Sequence, residues 1–155
     1  MEYIQAKENH AEKIYNIVQE TIQTTYPRYY RGEIVDFFCR HHSLENISKD
    51  IKCGLVGLLI CGGQIVGTGC YRDNHITRVY VAPEFQRQGY GSYIMQCLER
   101  QIAKVYDTVY LDASLPAARL YEKRGYKTIR HEKYPVENGV VLVYEVMEKC
   151  LADTK

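Results

Sequence analysis

The sequence has no tryptophan, and only 3 phenylalanines, 3 methionines and 4 prolines among its 155 residues. It also lacks an excess of either charge: 20 Lys and Arg stand against 19 Asp and Glu, a formal net charge of +1. Such a balance supplies no long-range field to gather a polyanion. Nucleic acid and membrane surfaces are therefore not expected as partners, and any bound anion must be held by local geometry. Long apolar runs are missing. The longest, Leu55 to Cys61, falls far short of the roughly 20 residues that cross a bilayer. Six cysteines lie at 39, 53, 61, 70, 97 and 150 with no CxxC pair, and Cys39, His41 and His42 have no second ligand pair, so no metal centre is expected. The first residues show no basic segment leading into an apolar one, and the chain reads as a reduced, cytoplasmic protein.

What is present is 46% hydrophobic and 25% charged residues, enough to build a core without disulfides or metal. No repeat, low-complexity tract or linker divides the chain, so one domain over residues 1–155 is expected. Tyrosine is abundant, at 15 residues.

Periodicity supplies the elements. Glu2 to Ala6 reads as a first strand. Asn9 and Glu12 have capping-box spacing ahead of a helix whose apolar stripe is Ala11, Ile14, Tyr15, Val18 and Ile22. That helix must stop before Tyr26-Pro27. Arg28 to Asp50 reads as one or two further helices. Leu55 to Cys61, Gln64 to Tyr71 and Ile76 to Val81 form a meander, turned at Gly62-Gly63 and Asp73-Asn74. A helix with Ile94, Leu98, Ile102 and Val105 on one face follows, then a buried strand from Thr108 to Leu111. Ser114 or Leu115 is expected to cap a short helix with Pro116 in its first turn and Gly125 as its stop. Tyr126 to His131 and Val140 to Met147 close the chain as strands, joined by a turn at Glu137-Asn138-Gly139. The order implies a mixed sheet with helices packed on it.

Between a strand and a helix lies Gln86-Arg87-Gln88-Gly89-Tyr90-Gly91-Ser92. Glycines at 89 and 91 leave the main chain bare, and the helix that follows presents unpaired N–H groups and the positive end of its dipole. Together these suit a pyrophosphate, with Arg87 adding a charge at the rim. The same glycines could serve only to let the helix pack closely. No Gly-Lys-Ser/Thr follows, so this is not a P-loop, and no third glycine completes a dinucleotide fingerprint.

Gln86-x-x-Gly89-x-Gly91 resembles the signature of the GNAT superfamily of acetyl-CoA-dependent N-acetyltransferases. Val79-Tyr80-Val81-Ala82-Pro83, Leu111-Asp112-Ala113-Ser114 and Ala117-Ala118-Arg119-Leu120-Tyr121-Glu122-Lys123-Arg124-Gly125-Tyr126 resemble that family's neighbouring segments, in the same order. The resemblance implies an α/β fold: a mixed, largely antiparallel sheet of about seven strands, splayed after the fourth and flanked by about four helices. It implies acetyl-CoA as cosubstrate, with no metal, and acetyl transfer to a primary amine by direct attack in a ternary complex. A CoA-binding regulatory module of the same fold is the alternative. Main-chain N–H and C=O groups of Val79 and Val81 would hold the pantetheine arm, Val79 N–H would polarise the thioester, and the N–H groups of Gln86 to Ser92 would hold the pyrophosphate. Tyr121 would protonate the departing thiolate, and Ser114 stands where many relatives have a cofactor-contacting Asn. The carboxylate that many relatives carry on the fourth strand is absent from His75-Ile76-Thr77-Arg78. The candidate base is then His75, since histidine titrates near neutrality, with a water chain to the sheet surface as the alternative. Asp73, Glu33, Asp36, His41 and His42 lie in segments that could also reach the acceptor. Tyr26, Arg28, Tyr29, Tyr30 and Arg31 are expected to line the acceptor pocket or merely cover the helices. A homodimer through the C-terminal strands is a further expectation.

Overall fold

The computed structural model describes residues 1–152. The chain runs through β1 (Glu2–Gln5), α1 (Ala11–Thr25), α2 (Gly32–His41), α3 (Leu44–Lys52), β2 (Val56–Cys61), β3 (Gln64–Arg72), β4 (His75–Val81), α4 (Tyr90–Ala103), β5 (Thr108–Ala113), α5 (Ala118–Lys123), β6 (Lys127–Pro135) and β7 (Val141–Cys150). The strands form one sheet in the order β1-β2-β3-β4-β5-β7-β6. Only β4 and β5 are parallel; the other neighbours pair antiparallel. The seven-stranded, largely antiparallel sheet is the architecture the resemblance implied, and Arg28 to Asp50 resolves into two helices.

Helices cover both faces because their apolar residues fall on single stripes. Ile14, Val18 and Ile22 of α1 are fully buried and pack with Ile47 and Ile51 of α3 over Leu58 of β2 and Tyr80 of β4. Ile94, Leu98 and Ile102 of α4 pack on the opposite face with Val109 and Leu111 of β5. Burying each such side chain contributes about 1.5–3 kcal/mol, more than any propensity difference along these helices. The helix α4 sits close because β3 carries glycines beneath it: a Cβ at Gly67 or Gly69 would stand 2.8 or 2.7 Å from Ile94. This close seat brings the first turn of α4 against the end of β4.

Three local expectations are corrected. The start of α1 is not capped by Asn9: a short turn at Glu8–His10 precedes it, and His10 Nδ1 accepts the Lys7 N–H at 3.0 Å. The helix α4 ends at Ala103, so Val105 lies beyond its stripe and is 75% exposed. The helix α5 begins at Ala118, two residues past Pro116, with Ala117 at its N-cap; Ser114 serves the turn before it, its carbonyl accepting from Ala117 and Ala118 N–H at 3.1 and 3.0 Å. Gly125 does end it, in the left-handed region at φ +92°.

Candidate active site

The strands β4 and β5 pair at only two positions, His75 with Tyr110 and Ile76 with Leu111. On the other side of β4, Ile76 opposes Tyr71 and Arg78 opposes Cys70, so Thr77 is a bulged residue without a counterpart. A bulge bends its strand, and this one lies where the pairing with β5 stops. The two strands separate there and open a cavity of about 560 Å³, a volume suited to an organic ligand.

Antiparallel geometry decides which main-chain groups face the gap. Ala82 N–H donates to the Val66 carbonyl at 2.9 Å. In this ladder alternate residues point to the same side, so Arg78 and Tyr80 face β3 while Val79 and Val81 face the gap. The Val81 carbonyl is already occupied: it accepts from Gln86 Nε2 at 3.0 Å and Thr21 Oγ1 at 3.2 Å. Val81 therefore offers its N–H alone, and not both groups as expected from the sequence.

Beyond β4 a turn at Pro83–Phe85 leads to the loop. Arg87 and Gly89 are left-handed, at φ +63° and +86°. A left-handed residue followed by a right-handed helix gathers successive N–H groups into one concavity, and those of Tyr90, Gly91 and Ser92 have no acceptor within the first turn of α4. Glycine at 89 is required by its backbone, since a Cβ there costs about 1–2 kcal/mol. Gly91 is different. A Cβ at that position would meet Leu120 at 3.7 Å and Val81 at 3.8 Å, which is ordinary contact. Close helix packing therefore does not explain the second glycine.

His75, Val79, Val81, Gln86, Arg87 and Gly89 all line the cavity, as do Tyr90, Gly91, Ser92, Ser114 and Tyr121. Exposed Gln88 is the one predicted residue outside the lining. Tyr121, on α5, is 7% exposed; burial, with Tyr26 nearby, pushes its phenol well above the usual value and keeps it protonated. His75 Nε2 lies 3.2 Å from Asp112 Oδ2, and its ring stacks on Tyr110 at 4.3 Å. An Nε2–H donated to Asp112 leaves Nδ1 as the proton acceptor.

The wall facing the loop is made of rings. Tyr26 hydroxyl lies 3.0 Å from that of Tyr80 and donates to Ser114 Oγ at 3.5 Å. Phe38 meets Tyr26 edge-on at 4.9 Å. Burial raises the phenols of Tyr26 and Tyr80, so both act as neutral hydroxyls. Behind them Arg78, 5% exposed, donates from Nε to His42 Nδ1 at 3.1 Å and from Nη2 to Asp50 Oδ2 at 2.9 Å. Burial, then the Arg78 charge, holds His42 well below its ordinary value. Of the acceptor candidates, Tyr26, Arg28, Tyr29, His41 and His42 reach the cavity; Tyr30, Arg31, Glu33, Asp36 and Asp73 are not part of its lining. Tyr30 instead accepts the Leu115 N–H at 2.7 Å. A second cavity of about 260 Å³ adjoins the first, sharing Phe38, His41, Asp112 and Ser114 and walled by Tyr134, Leu142 and Tyr144.

Sequence reasoning missed Arg78, Asp50, Asp112 and the Tyr26–Tyr80 pair. One signal was available: an arginine two residues before Tyr80 in a predicted central strand, a spacing that puts both on one face and demands a buried partner.

A parallel pair that splays beside a glycine-bearing helix start defines the class: an α/β protein with its cleft between β4 and β5. Comparison with known proteins gives the class a family. Residues 26–149 match the family described as Acetyltransferase (GNAT) domain, and the chain belongs to it. A curated relative, N-alpha-acetyltransferase 20 of Dictyostelium discoideum, is 31% identical over 107 residues, covering 66% of this chain. The chain spans 61% of that relative's length. Among solved structures, a GCN5-related N-acetyltransferase of Rhodopseudomonas palustris superposes with a TM-score of 0.88 at 22% identity, covering 97% of this chain and 95% of its own. The yncA acetyltransferase of Salmonella typhimurium, solved with acetyl-CoA, gives 0.71 at 18% identity over 97% and 94%.

Proposed function

We propose that this protein transfers the acetyl group of acetyl-CoA directly to a primary amine. The observation that carries the reading is the set of outward main-chain groups on splayed β4 opening into the same cavity as the bare N–H groups at the start of α4. The pantetheine arm lies along β4 against Val79 and Val81. The diphosphate sits on the N–H groups from Gly89 to Ser92, with Arg87 at the rim, in the space that a side chain at 91 would take. The adjoining cavities hold the acceptor, and the likeness to an N-alpha-acetyltransferase suggests an α-amine as the attacking group.

The free amine attacks the thioester carbonyl carbon. Val79 N–H donates to the oxygen as negative charge gathers on it; one such donor is worth about 3–4 kcal/mol of barrier. As the C–S bond breaks, Tyr121 gives its hydroxyl proton to sulfur, so that no thiolate is left in the buried site, and it recovers a proton from solvent as CoA leaves. The proton released from the attacking nitrogen goes to His75 Nδ1, with Asp112 holding the ring. A reduced, cytoplasmic setting belongs to the same proposal; all six cysteines are free.

The test is incubation with acetyl-CoA and a panel of amines, reading free CoA thiol and the mass of acetylated product. Stoichiometric appearance of both, with sequential kinetics, is expected. Tight acetyl-CoA binding without turnover on any amine assigns the regulatory module instead.

A further inference from the structure

The acetyl-transfer reading leaves open what the acceptor carries besides its amine, and the ring wall bears on that. A guanidinium has only N–H groups to offer. The Arg78 Nε contact therefore requires a lone pair on His42 Nδ1, and the imidazole is neutral with its proton on Nε2. With its only basic nitrogen engaged, His42 is unable to accept the proton of the amine. It is a donor instead, and a fixed one. Its ring packs edge-on to Tyr80 at 5.5 Å, and its carbonyl accepts Gln19 Nε2 at 2.9 Å.

The surroundings favour an oxygen at that donor. Arg78 donating into Nδ1 polarises the ring and strengthens its remaining N–H. Arg78 Nη1 is itself buried with no hydrogen-bond partner among the described residues, so the wall offers more N–H than it accepts. Among the described residues Asp112 is the one carboxylate lining the cavity, where it stands against His75. Arg28 and Arg87 line the same cavity, so a second ammonium on the acceptor would enter a site with an excess of cations. Tyr80 lies between Val79 and Val81, so a ring packed on it stands beside the strand that carries the thioester.

We propose that His42 Nε2–H, held in that tautomer by Arg78, receives an oxygen of the acceptor, and that the acceptors are amines bearing a nearby carbonyl or carboxylate, not di- or polyamines. This rests on the acetyl-transfer reading. His42 is then a specificity-determining residue and Arg78 its positioning residue.

The experiment compares kcat/KM for glycinamide, glycine, n-propylamine and putrescine in the wild type, His42→Phe and His42→Gln. Amine basicity cancels when the glycinamide-to-propylamine ratio is compared between variants. That ratio is expected to fall about tenfold in His42→Phe, the worth of one hydrogen bond. His42→Gln is expected to restore it, since the amide can accept from Arg78 and still donate. Glycine against glycinamide tells a free carboxylate from a peptide-like carbonyl. An unchanged ratio in a His42→Phe protein that still binds acetyl-CoA overturns the inference. So does a wild type that prefers putrescine to both oxygen-bearing amines, a result needing no variant. Acetylation of no amine at all strikes the transferase reading itself.

Discussion

The two walls of the cavity present their hydrogen-bonding groups by different means. The wall formed by β4 and the start of α4 works through main chain: the N–H groups of Val79 and Val81, the left-handed Gly89, and the first turn of the helix. The wall formed by α1, α2 and β4's other face works through side chains, namely the hydroxyls of Tyr26 and Tyr80 and the His42–Arg78–Asp50 chain. Main-chain donors suit a ligand part that never changes, because they tolerate drift of the surrounding side chains. Side-chain donors suit a part that must be told from its analogues, since a buried polar group left unpaired costs about 1–3 kcal/mol. In the proposed reading the cofactor belongs to one wall and acceptor selection to the other.

The sharpest way to break that division is at Tyr121, where the walls meet. Tyr121→Phe should lower kcat by about 10²–10⁴-fold, the range for a lost general acid, with the acetyl-CoA Kd little changed; steady-state rates and calorimetry check both. Stability has its own counterpart behind the main-chain wall. Glu99, 3% exposed, accepts from Arg124 at 2.7 Å, Lys149 at 3.2 Å and the Tyr126 hydroxyl at 3.0 Å. Glu99→Ala strands two partly buried cations and should cost about 3–5 kcal/mol in denaturant unfolding. In the proposed scheme His75→Ala should lower the rate by about 100-fold and alter its pH profile. An unchanged rate and profile would remove His75 from the scheme.

Smaller effects sharpen the comparison. Gly91→Ala should leave the melting temperature unchanged or higher, because a Cβ there meets only ordinary contacts and alanine favours helix. The same change should weaken acetyl-CoA binding about tenfold, or roughly 1.4 kcal/mol, if the space belongs to the diphosphate. On the ring wall the expected signature is pH. His42 is held below its ordinary value of 6.5 by burial and by Arg78, so the unfolded chain binds a proton that the folded one refuses. Its stabilising share is whole above about pH 6.5 and is lost as pH falls below that value toward the lower folded one. Chemical denaturation at pH 7.5 and 5.5 should show the loss, and His42→Gln should reduce it.

Much of the first wall was legible in the sequence. The loop from Gln86 to Ser92 was marked by its glycines, whereas the valines of β4 and Tyr121 entered through the family resemblance; the fold brings all of them but Gln88 to one cavity. Helix ends were less legible. Capping by Asn9 and burial of Val105 both failed, because one turn more or less of helix changes a local free energy too small for periodicity to report. The cap expected at Ser114 or Leu115 falls at Ala117, and Ser114 supplies only a carbonyl to the turn before it. The ring wall was hardly legible, since Tyr26, His42, Asp50 and Arg78 come from four separate elements and no spacing links them.

Alternation of apolar residues and the placing of glycine, proline and polar turns were enough to set the strands, the helices and the bare-amide loop, because each depends on neighbours a few residues apart. The bulge at Thr77, the splay of β4 from β5 and the tautomer of His42 needed the folded chain. Each is decided by contacts between residues distant in sequence, and the free energy of burying Arg78 is settled only when Asp50 and His42 arrive beside it.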